Sequence, residues 1–143
     1  MPYAEILVTK NFITDEEKTV LVKKMTKILL DSEGLIDNPI SRSIALLDIK
    51  EFGCLYVGGE RSKQDKILVK IYAFSNAFND KSKKKLFSDI TNALISINDK
   101  IKSQNGRNIW CMIIPLQKNN FGVGGAPVTL EMTRNLVSAY NEE

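Results

Sequence analysis

The strongest constraint in this sequence is that its pattern occurs twice, about 65 residues apart. Two residues of the kind that cap helices, Thr14 and Asn79, and two glycine pairs, Gly58–Gly59 and Gly124–Gly125, repeat at nearly the same spacing. One alignment therefore fits both halves almost without gaps, and each half is expected to fold into the same unit. We predict a single domain over residues 1–143, with repeated units at 2–59 and 66–125 and a C-terminal segment at 126–143.

The first unit has the signals of a strand, a helix and a second strand. A predicted strand at Tyr3–Thr9 precedes the sequence TDEEK, in which Thr14 and Glu17 can form a reciprocal capping box. Gly34 is placed to end the helix, and a second strand is predicted at about Ser43–Ile49, before a hairpin-like segment at the first glycine pair. The helix carries an apolar stripe at three- and four-residue steps, namely Leu21, Met25, Ile28 and Leu29.

The second unit repeats this order. A strand is predicted at Lys66–Phe74, a helix capped by Asn79 follows, and a turn containing Asn105–Gly106 leads to a strand at Asn108–Ile114 that Pro115 is expected to close. The stripe of this helix comprises Leu86, Ile90, Ala93, Leu94 and Ile97. A short amphipathic stretch, Leu130–Tyr140, is predicted to form a docking helix at the end of the chain.

Each unit is thus a βαβ unit, whose two strands are expected to be parallel with a right-handed crossover. The predicted fold is α/β, with two tandem βαβ units forming one four-stranded sheet, two helices on one face, and a short C-terminal helix. A parallel sheet is normally covered on both faces, and a second copy of the chain is the natural cover, which predicts a ring-like homo-oligomer. The residues expected on the helix-free face are Ile6, Val8, Leu68, Tyr72, Phe74, Trp110 and Met112.

The chain has no histidine. This excludes Ser-His-Asp and Cys-His catalysis and the usual zinc sites, and no phosphate-binding glycine motif is present. We therefore predict no metal and no cofactor. If the protein is an enzyme, its base must be a carboxylate, a lysine, a tyrosine or an amine terminus.

The charge and hydropathy of the sequence limit the classes of partner that the protein is expected to bind. The formal net charge of +3 is too small and too dispersed to indicate nucleic-acid binding. No apolar run approaches the roughly 18 residues of a membrane span, and no signal peptide is visible. Cys54 and Cys111 lie far apart with no CxxC motif, which predicts two reduced, buried thiols. We expect a cytoplasmic protein that binds neither membranes nor nucleic acid.

The order of these motifs resembles the tautomerase superfamily. The features that carry the resemblance are Pro2 in front of the first strand, TDEEK at the helix start, and a strand leading into NNFGVGGAPVTL, which is similar to the family's FGIGG hairpin. The doubled length is similar to that of the fused two-unit members. The resemblance covers nearly the whole chain and implies a homotrimer that acts on a small, anionic substrate.

The resemblance also implies a role for Pro2. In tautomerases the initiator methionine is removed, and the secondary amine of the exposed proline moves a proton between carbon and oxygen of an enol or a 2-oxo acid. An ordinary α-amino group has a pKa near ~8, and burial or a nearby cation lowers it, so a neutral amine near pH 7 is suited to proton transfer. If Met1 is retained, Pro2 is an amide and has no base to offer. Without that resemblance, Pro2 is a proline at the first position of a strand, where its missing N–H harms no ladder.

The family's carboxylate-binding arginines are missing from their expected places. Counting back from the glycine pairs puts the second-strand arginine on Ile44 and on Trp110, and the arginine pair of the dehalogenating members falls near Phe74 and Ala77. The helix histidine of those members is absent as well. Dehalogenation and hydration are therefore not supported.

Other residues are candidates for binding the substrate. Arg42 lies two residues before Ile44 and would share its face of the predicted strand. Arg107, beside a turn, and Lys10, near the end of the first strand, are further cations, although each also fits a solvated surface position. The aromatic candidates are Phe121, which matches the family's pocket phenylalanine, and Trp110, which can form a pocket wall or a core contact.

Two other classes of function stay open. One is a tautomerase-like binding or scaffold protein without catalysis, which the missing arginines favour. The other is an unrelated βαββαβ module of the ferredoxin-like type, which includes RNA-binding domains. The absence of an RNP-like aromatic motif argues against RNA binding.

Overall fold

A computed structural model describes residues 2–140. The first unit consists of strand β1, helices α1 and α2, strand β2 and a two-stranded hairpin formed by β3 and β4. Their bounds are β1 Tyr3–Val8, α1 Asp15–Glu33, α2 Pro39–Ile44, β2 Leu46–Glu51, β3 Tyr56–Val57 and β4 Glu60–Arg61. The glycine pair Gly58–Gly59 forms the hairpin turn, where both residues have positive φ.

The second unit repeats the first with a strand, a helix, a strand and a hairpin. Its elements are β5 Ile67–Phe74, α3 Asp80–Ile95, α4 Asp99–Lys102, β6 Ile109–Leu116, β7 Gly122–Val123 and β8 Ala126–Pro127. A single 3₁₀ turn, Ser75–Ala77, connects β5 to α3, and helix α5, Leu130–Ala139, follows the second hairpin.

The four long strands form one sheet in the order β2-β1-β5-β6. β1 is parallel to β2 and β5 is parallel to β6, whereas β1 and β5 are antiparallel at the centre. The predicted βαβ units and their four-stranded sheet are therefore confirmed. The two strands of each unit are neighbours, whereas the ferredoxin-like order is a split βαβ, so that alternative fold is wrong.

The helices begin and end where local chemistry predicts. Thr14 Oγ1 accepts a hydrogen bond from Glu17 N at 3.1 Å, and the Glu17 carboxylate accepts one from Thr14 N at 2.9 Å. α1 ends at Gly34, whose φ of 67° is left-handed and therefore favours glycine. Asn79 caps α3 in the same way, with a reciprocal bond to Ser82.

The hydrophobic core lies between the sheet and the helix layer of α1 and α3. On β1, Ala4, Ile6 and Val8 are buried in it. The expectation that Ile6 and Val8 lie on the helix-free face is therefore wrong, because strand alternation puts them on the same side as Ala4. The core also contains the buried stripe of each helix, which comprises Leu21, Met25 and Leu29 on α1 and Leu86, Ile90 and Leu94 on α3.

The opposite face of the sheet, which we call the open face, has no helix over it within residues 2–140. Trp110 and Met112 are exposed there, with Trp110 64% accessible to solvent. The strand register defines three rows of side chains across the open face, Leu46-Tyr3-Tyr72-Ile114, Asp48-Glu5-Lys70-Met112 and Lys50-Leu7-Leu68-Trp110. The middle row is polar, and in it Lys70 lies 3.7 Å from the Glu5 carboxylate.

Two strand boundaries differ from the sequence prediction. Residues 43 and 44 belong to α2 and not to a strand, because Asn38 caps this short helix in front of Pro39, a favoured residue at the first turn. Pro115 does not close β6 but lies within it. A proline is tolerated there because β6 is an edge strand, where a missing N–H need not break the ladder.

Helix α5 docks against its own chain. Leu130 and Val137 are buried, Val137 packs with Leu30 and Leu35, and Asn38 Nδ2 donates a hydrogen bond to Val137 O at 2.9 Å. The predicted C-terminal docking helix is thus present and covers the end of α1 and α2. No helix within residues 2–140 has the length and apolarity needed to cross a membrane.

Candidate functional site

The start of β1 and the end of β5 meet at one end of the sheet, which we call the Pro2 end. Pro2 is buried there, and its carbonyl oxygen accepts a hydrogen bond from Leu46 N at 3.0 Å. Tyr3 pairs with Tyr72 in the β1–β5 register, so Pro2 lies next to the last residues of β5. The sheet thus holds Pro2 at this end.

Glu33, the last residue of α1, is completely buried at the same end, with an exposed fraction of 0%. The pKa of its carboxyl group is raised, because burial raises it by more than a hydrogen bond with the Phe74 backbone and the charge of Arg134 lower it. A buried carboxyl group with a cationic neighbour and an N–H neighbour therefore lies at the Pro2 end.

Arg134 of α5 holds the end of α1 from the outside. Its Nε donates a hydrogen bond to the Glu33 carbonyl oxygen at 2.9 Å, across 101 residues of sequence. A Cβ added at Gly34 would lie 3.2 Å from Arg134 Nη2, so the guanidinium packs closely over this glycine. The C-terminal helix thereby adds a cation to the Pro2 end.

Phe121 of the second hairpin also reaches the Pro2 end. Its ring makes an edge-to-face contact with Phe74, with the ring centroids 5.9 Å apart. Phe74 in turn lines a cavity of about 420 Å³ between the end of β6 and the start of α5, which Lys118 also lines. The structure therefore brings Pro2, Phe121 and a cavity with a cation to one end of the sheet.

Two tyrosines flank Pro2 on the open face. The rings of Tyr3 and Tyr72 stack with their centroids 5.3 Å apart, and the Tyr3 hydroxyl donates a hydrogen bond to Glu5 at 3.0 Å. Desolvation and this hydrogen bond raise the pKa of Tyr3, so its hydroxyl stays protonated at neutral pH and can donate.

Arg42 lies on α2, and the expectation that it shares a strand face with Ile44 is wrong. Its Nε donates to Asp37 Oδ1 at 2.6 Å and its Nη2 to Asp37 Oδ2 at 3.1 Å. This two-contact pairing is the geometry that a substrate carboxylate would use. Because Asp37 occupies it, a substrate carboxylate would have to displace Asp37 to pair with Arg42 through the same two nitrogens.

Trp110, Arg107 and Lys10 lie at the opposite end of the sheet. Trp110 is level with Leu7, five residues along β1 from Pro2, which is a distance of roughly 17 Å. Lys66 Nζ lies 6.0 Å from the Trp110 ring centre, over a second, largely apolar cavity of about 330 Å³. Within one copy of the chain, these three residues do not share a site with Pro2.

The sequence analysis did not identify Glu33 as a site residue, although the sequence contains a signal that this residue is buried. Leu21, Met25, Leu29 and Glu33 follow one another at four-residue steps, which places Glu33 on the buried stripe of α1. A charge at such a position needs a partner. Arg134 and Lys118 carried no comparable signal, since each is an exposed cation of ordinary appearance.

Comparisons with known proteins identify the fold. The sequence matches no protein-family model and no curated protein. Among solved structures, macrophage migration inhibitory factor of Toxoplasma gondii matches with a TM-score of 0.66, covering 88% of this chain and 99% of its own at 14% identity. A fused 4-OT solved as an asymmetric trimer matches with a TM-score of 0.70, covering 87% and 94% at 17% identity. The chain has the tautomerase-superfamily fold.

A third structure with the tautomerase fold was solved after chemical inactivation. It is Pt0534 inactivated by 2-oxo-3-pentynoate, which matches with a TM-score of 0.71 and covers 91% of this chain and 98% of its own at 14% identity. All three identities are low, so the likeness is one of fold. The predicted architecture and the resemblance to the tautomerase fold are confirmed by it.

Proposed function

We propose that the chain is a tautomerase-type isomerase in which Pro2, as the terminal amine of the processed protein, acts as general base and acid. The observation that carries the proposal is a buried proline at the second position of a tautomerase fold, at the sheet end where Glu33 and the Phe74–Phe121 pair meet. Loss of Met1 is required, because an amide nitrogen has no lone pair for proton transfer.

The proposed reaction is the conversion of an enol to its ketone. The amine accepts the proton from the enol oxygen, and the resulting ammonium returns a proton to the adjacent carbon, so the amine is regenerated and no cofactor is needed. Inactivation of the structurally similar Pt0534 by 2-oxo-3-pentynoate supports this class of chemistry. Such an alkynyl ketone is an electrophile toward a neutral amine and carries the 2-oxo acid group.

We propose a small 2-oxo acid or a related carbonyl compound as the substrate. Its carboxylate would bind a cation at the Pro2 end, where Lys118 lines the Phe74 cavity and Arg134 adjoins Glu33. Arg42 is a further candidate if it exchanges Asp37 for the substrate. Trp110, Arg107 and Lys10 can contribute only if a second copy brings its far sheet end to this Pro2.

We further propose a homotrimer, supported by the trimeric state of the structurally similar fused 4-OT and by the uncovered, partly apolar open face. In a closed ring, the far end of one sheet can adjoin the Pro2 end of its neighbour. This arrangement would let Trp110 wall a shared pocket.

The deciding experiment combines intact mass spectrometry with a ketonisation assay on phenylenolpyruvate and 2-hydroxymuconate. We expect protein that lacks Met1 to catalyse ketonisation and protein that retains Met1 to be inactive. Equal turnover by both forms would refute the proline mechanism. Activity in neither form would favour the second candidate function, a binding or scaffold protein, which the pairing of Arg42 with Asp37 supports.

A further inference from the structure

Glu33 is a buried carboxyl group, and its ionised form needs an opposite charge nearby. Its side chain has no exposure to solvent, and an ionised carboxylate withdrawn from water is costly unless it is paired and hydrogen-bonded. Its described neighbours include the Phe74 backbone, which forms a hydrogen bond with the carboxyl group, and the Arg134 guanidinium, whose Nε also bonds the Glu33 carbonyl oxygen at 2.9 Å.

The chain geometry keeps the same carboxylate within reach of Pro2 after processing. Tyr3 pairs with Tyr72, which puts Pro2 opposite Ala73 and beside Phe74, the residue whose backbone contacts Glu33. Glu33 and Pro2 thus both adjoin the last residues of β5.

We propose that the Glu33 carboxylate is the counter-ion of the Pro2 amine once Met1 has been removed. The inference rests on the proposed function, because it concerns the amine that is proposed to move the proton. A prolinium nitrogen has two N–H donors, so it can donate one to Glu33 and direct the other toward a substrate carbon. Glu33 is therefore a positioning residue that stabilises the ammonium form when the amine has accepted the enol proton, and that orients its N–H groups.

The direction of the effect follows from electrostatics. An opposite charge within about 4–6 Å favours the ammonium by about 1–3 pKa units, whereas burial of the amine and the nearby Arg134 cation disfavour it. Replacing Glu33 by glutamine removes only the favourable contribution. The pKa of the Pro2 amine in E33Q must then be lower than in the unchanged protein, whatever its absolute value.

The test is an NMR titration of processed protein labelled with ¹³C-proline, after intact mass spectrometry has shown that Met1 is absent. Pro2 is the one proline whose ring adjoins a titrating amine, and the other three prolines, Pro39, Pro115 and Pro127, serve as internal controls. We expect the Pro2 midpoint to fall by about 1–3 pH units in E33Q. The control E16Q, which removes an exposed carboxylate from the first turn of α1, should leave the midpoint unchanged.

An equal or higher midpoint in E33Q would overturn the counter-ion role. If E33Q does not fold, E33D retains the charge at a shorter reach and should lower the midpoint by a smaller amount, and an unchanged midpoint there would overturn the role equally. The titration needs no turnover, so it separates the two proposals. A lowered midpoint without ketonisation supports the counter-ion and refutes the isomerase, whereas ketonisation with an unchanged midpoint does the reverse.

Discussion

At the scale of single residues, two positions carry the proposed chemistry. Pro2 is buried at the start of β1, and Glu33 is buried at the end of α1, where it bonds the Phe74 backbone. An amine and a carboxylate brought together away from water would influence each other's protonation far more than they would at a surface. The catalytic prediction therefore concerns the amine itself.

Changing the amine should affect turnover more than binding. Pro2→Ala leaves a primary amine in nearly the same place, with a different pKa and looser geometry, so we expect kcat to fall more than KM rises. An extra residue in front of Pro2 converts its nitrogen to an amide, and ketonisation should then fall by about 10²–10⁴-fold, the usual contribution of general base catalysis. Melting temperature is the control, and it should stay close to that of the unmodified protein.

The two cysteines should differ in reactivity. Burial raises the pKa of the Cys111 thiol to about 12, so only roughly 10⁻⁴ of it is thiolate at pH 8, and the thiolate is the reactive form. Cys54 is exposed. We expect iodoacetamide to modify one cysteine in the folded protein and two after denaturation, as counted by intact mass.

Cys54→Ser provides the control for this prediction. The folded variant should show no rapid modification. Rapid modification of both thiols in the folded, unchanged chain would show that Cys111 is accessible.

At the scale of elements, each unit begins its crossover helix with a reciprocal cap. Thr14 with Glu17 starts α1, and Asn79 with Ser82 starts α3. These caps satisfy backbone N–H groups that a helix start leaves without partners. The helices bury the sheet on one face, so the energy of a cap contributes to the stability of the whole layer.

Removing a cap should lower stability by a measurable amount. We expect Thr14→Ala to reduce the free energy of unfolding by about 0.5–2 kcal/mol, measured by urea denaturation at a fixed protein concentration. Thr14→Ser keeps the accepting oxygen and should stay near the unchanged protein. Equal stabilities of the alanine and serine variants would show that the Thr14 side-chain bond contributes nothing.

At the scale of the whole molecule, the open face is the surface that indicates association between copies of the chain. One face of the sheet is covered by α1 and α3, whereas the other combines a polar middle row with two rows rich in apolar side chains. Within the polar row Lys70 pairs with Glu5, and Asp48 pairs with Lys50 of the neighbouring row. A face of this composition can be buried between copies at little electrostatic cost.

A charge placed on the open face should therefore disrupt the assembly. We expect sedimentation velocity to show a trimer for the unchanged protein and a shift toward monomer for Trp110→Asp, because burying an unpaired carboxylate at an interface is costly. Val20→Asp is the matched control, since Val20 is an apolar residue of α1 that is 48% exposed. A monomer at micromolar concentration for the unchanged protein would contradict the trimer.

Much of the fold could be predicted from the sequence because its signals are local. A capping box joins residues three positions apart, a helix stripe repeats every three or four residues, and a glycine pair marks each hairpin. Because these signals occur twice in the same order, they predicted both βαβ units and the resemblance to the superfamily. Errors arose where a local signal was weak. The short helix at Pro39–Ile44 replaced the start of a predicted strand and moved Arg42 with it.

The sequence by itself determined the two units, their helices and the presence of a proline that processing can expose as an amine. Only the tertiary structure decided what surrounds that amine. The bond from Arg134 to Glu33 joins residues 101 positions apart, and Ile6 faces the helices because of how the whole sheet packs. Such contacts depend on which sheet end and which face meet in space, and no pattern of three or four residues encodes them.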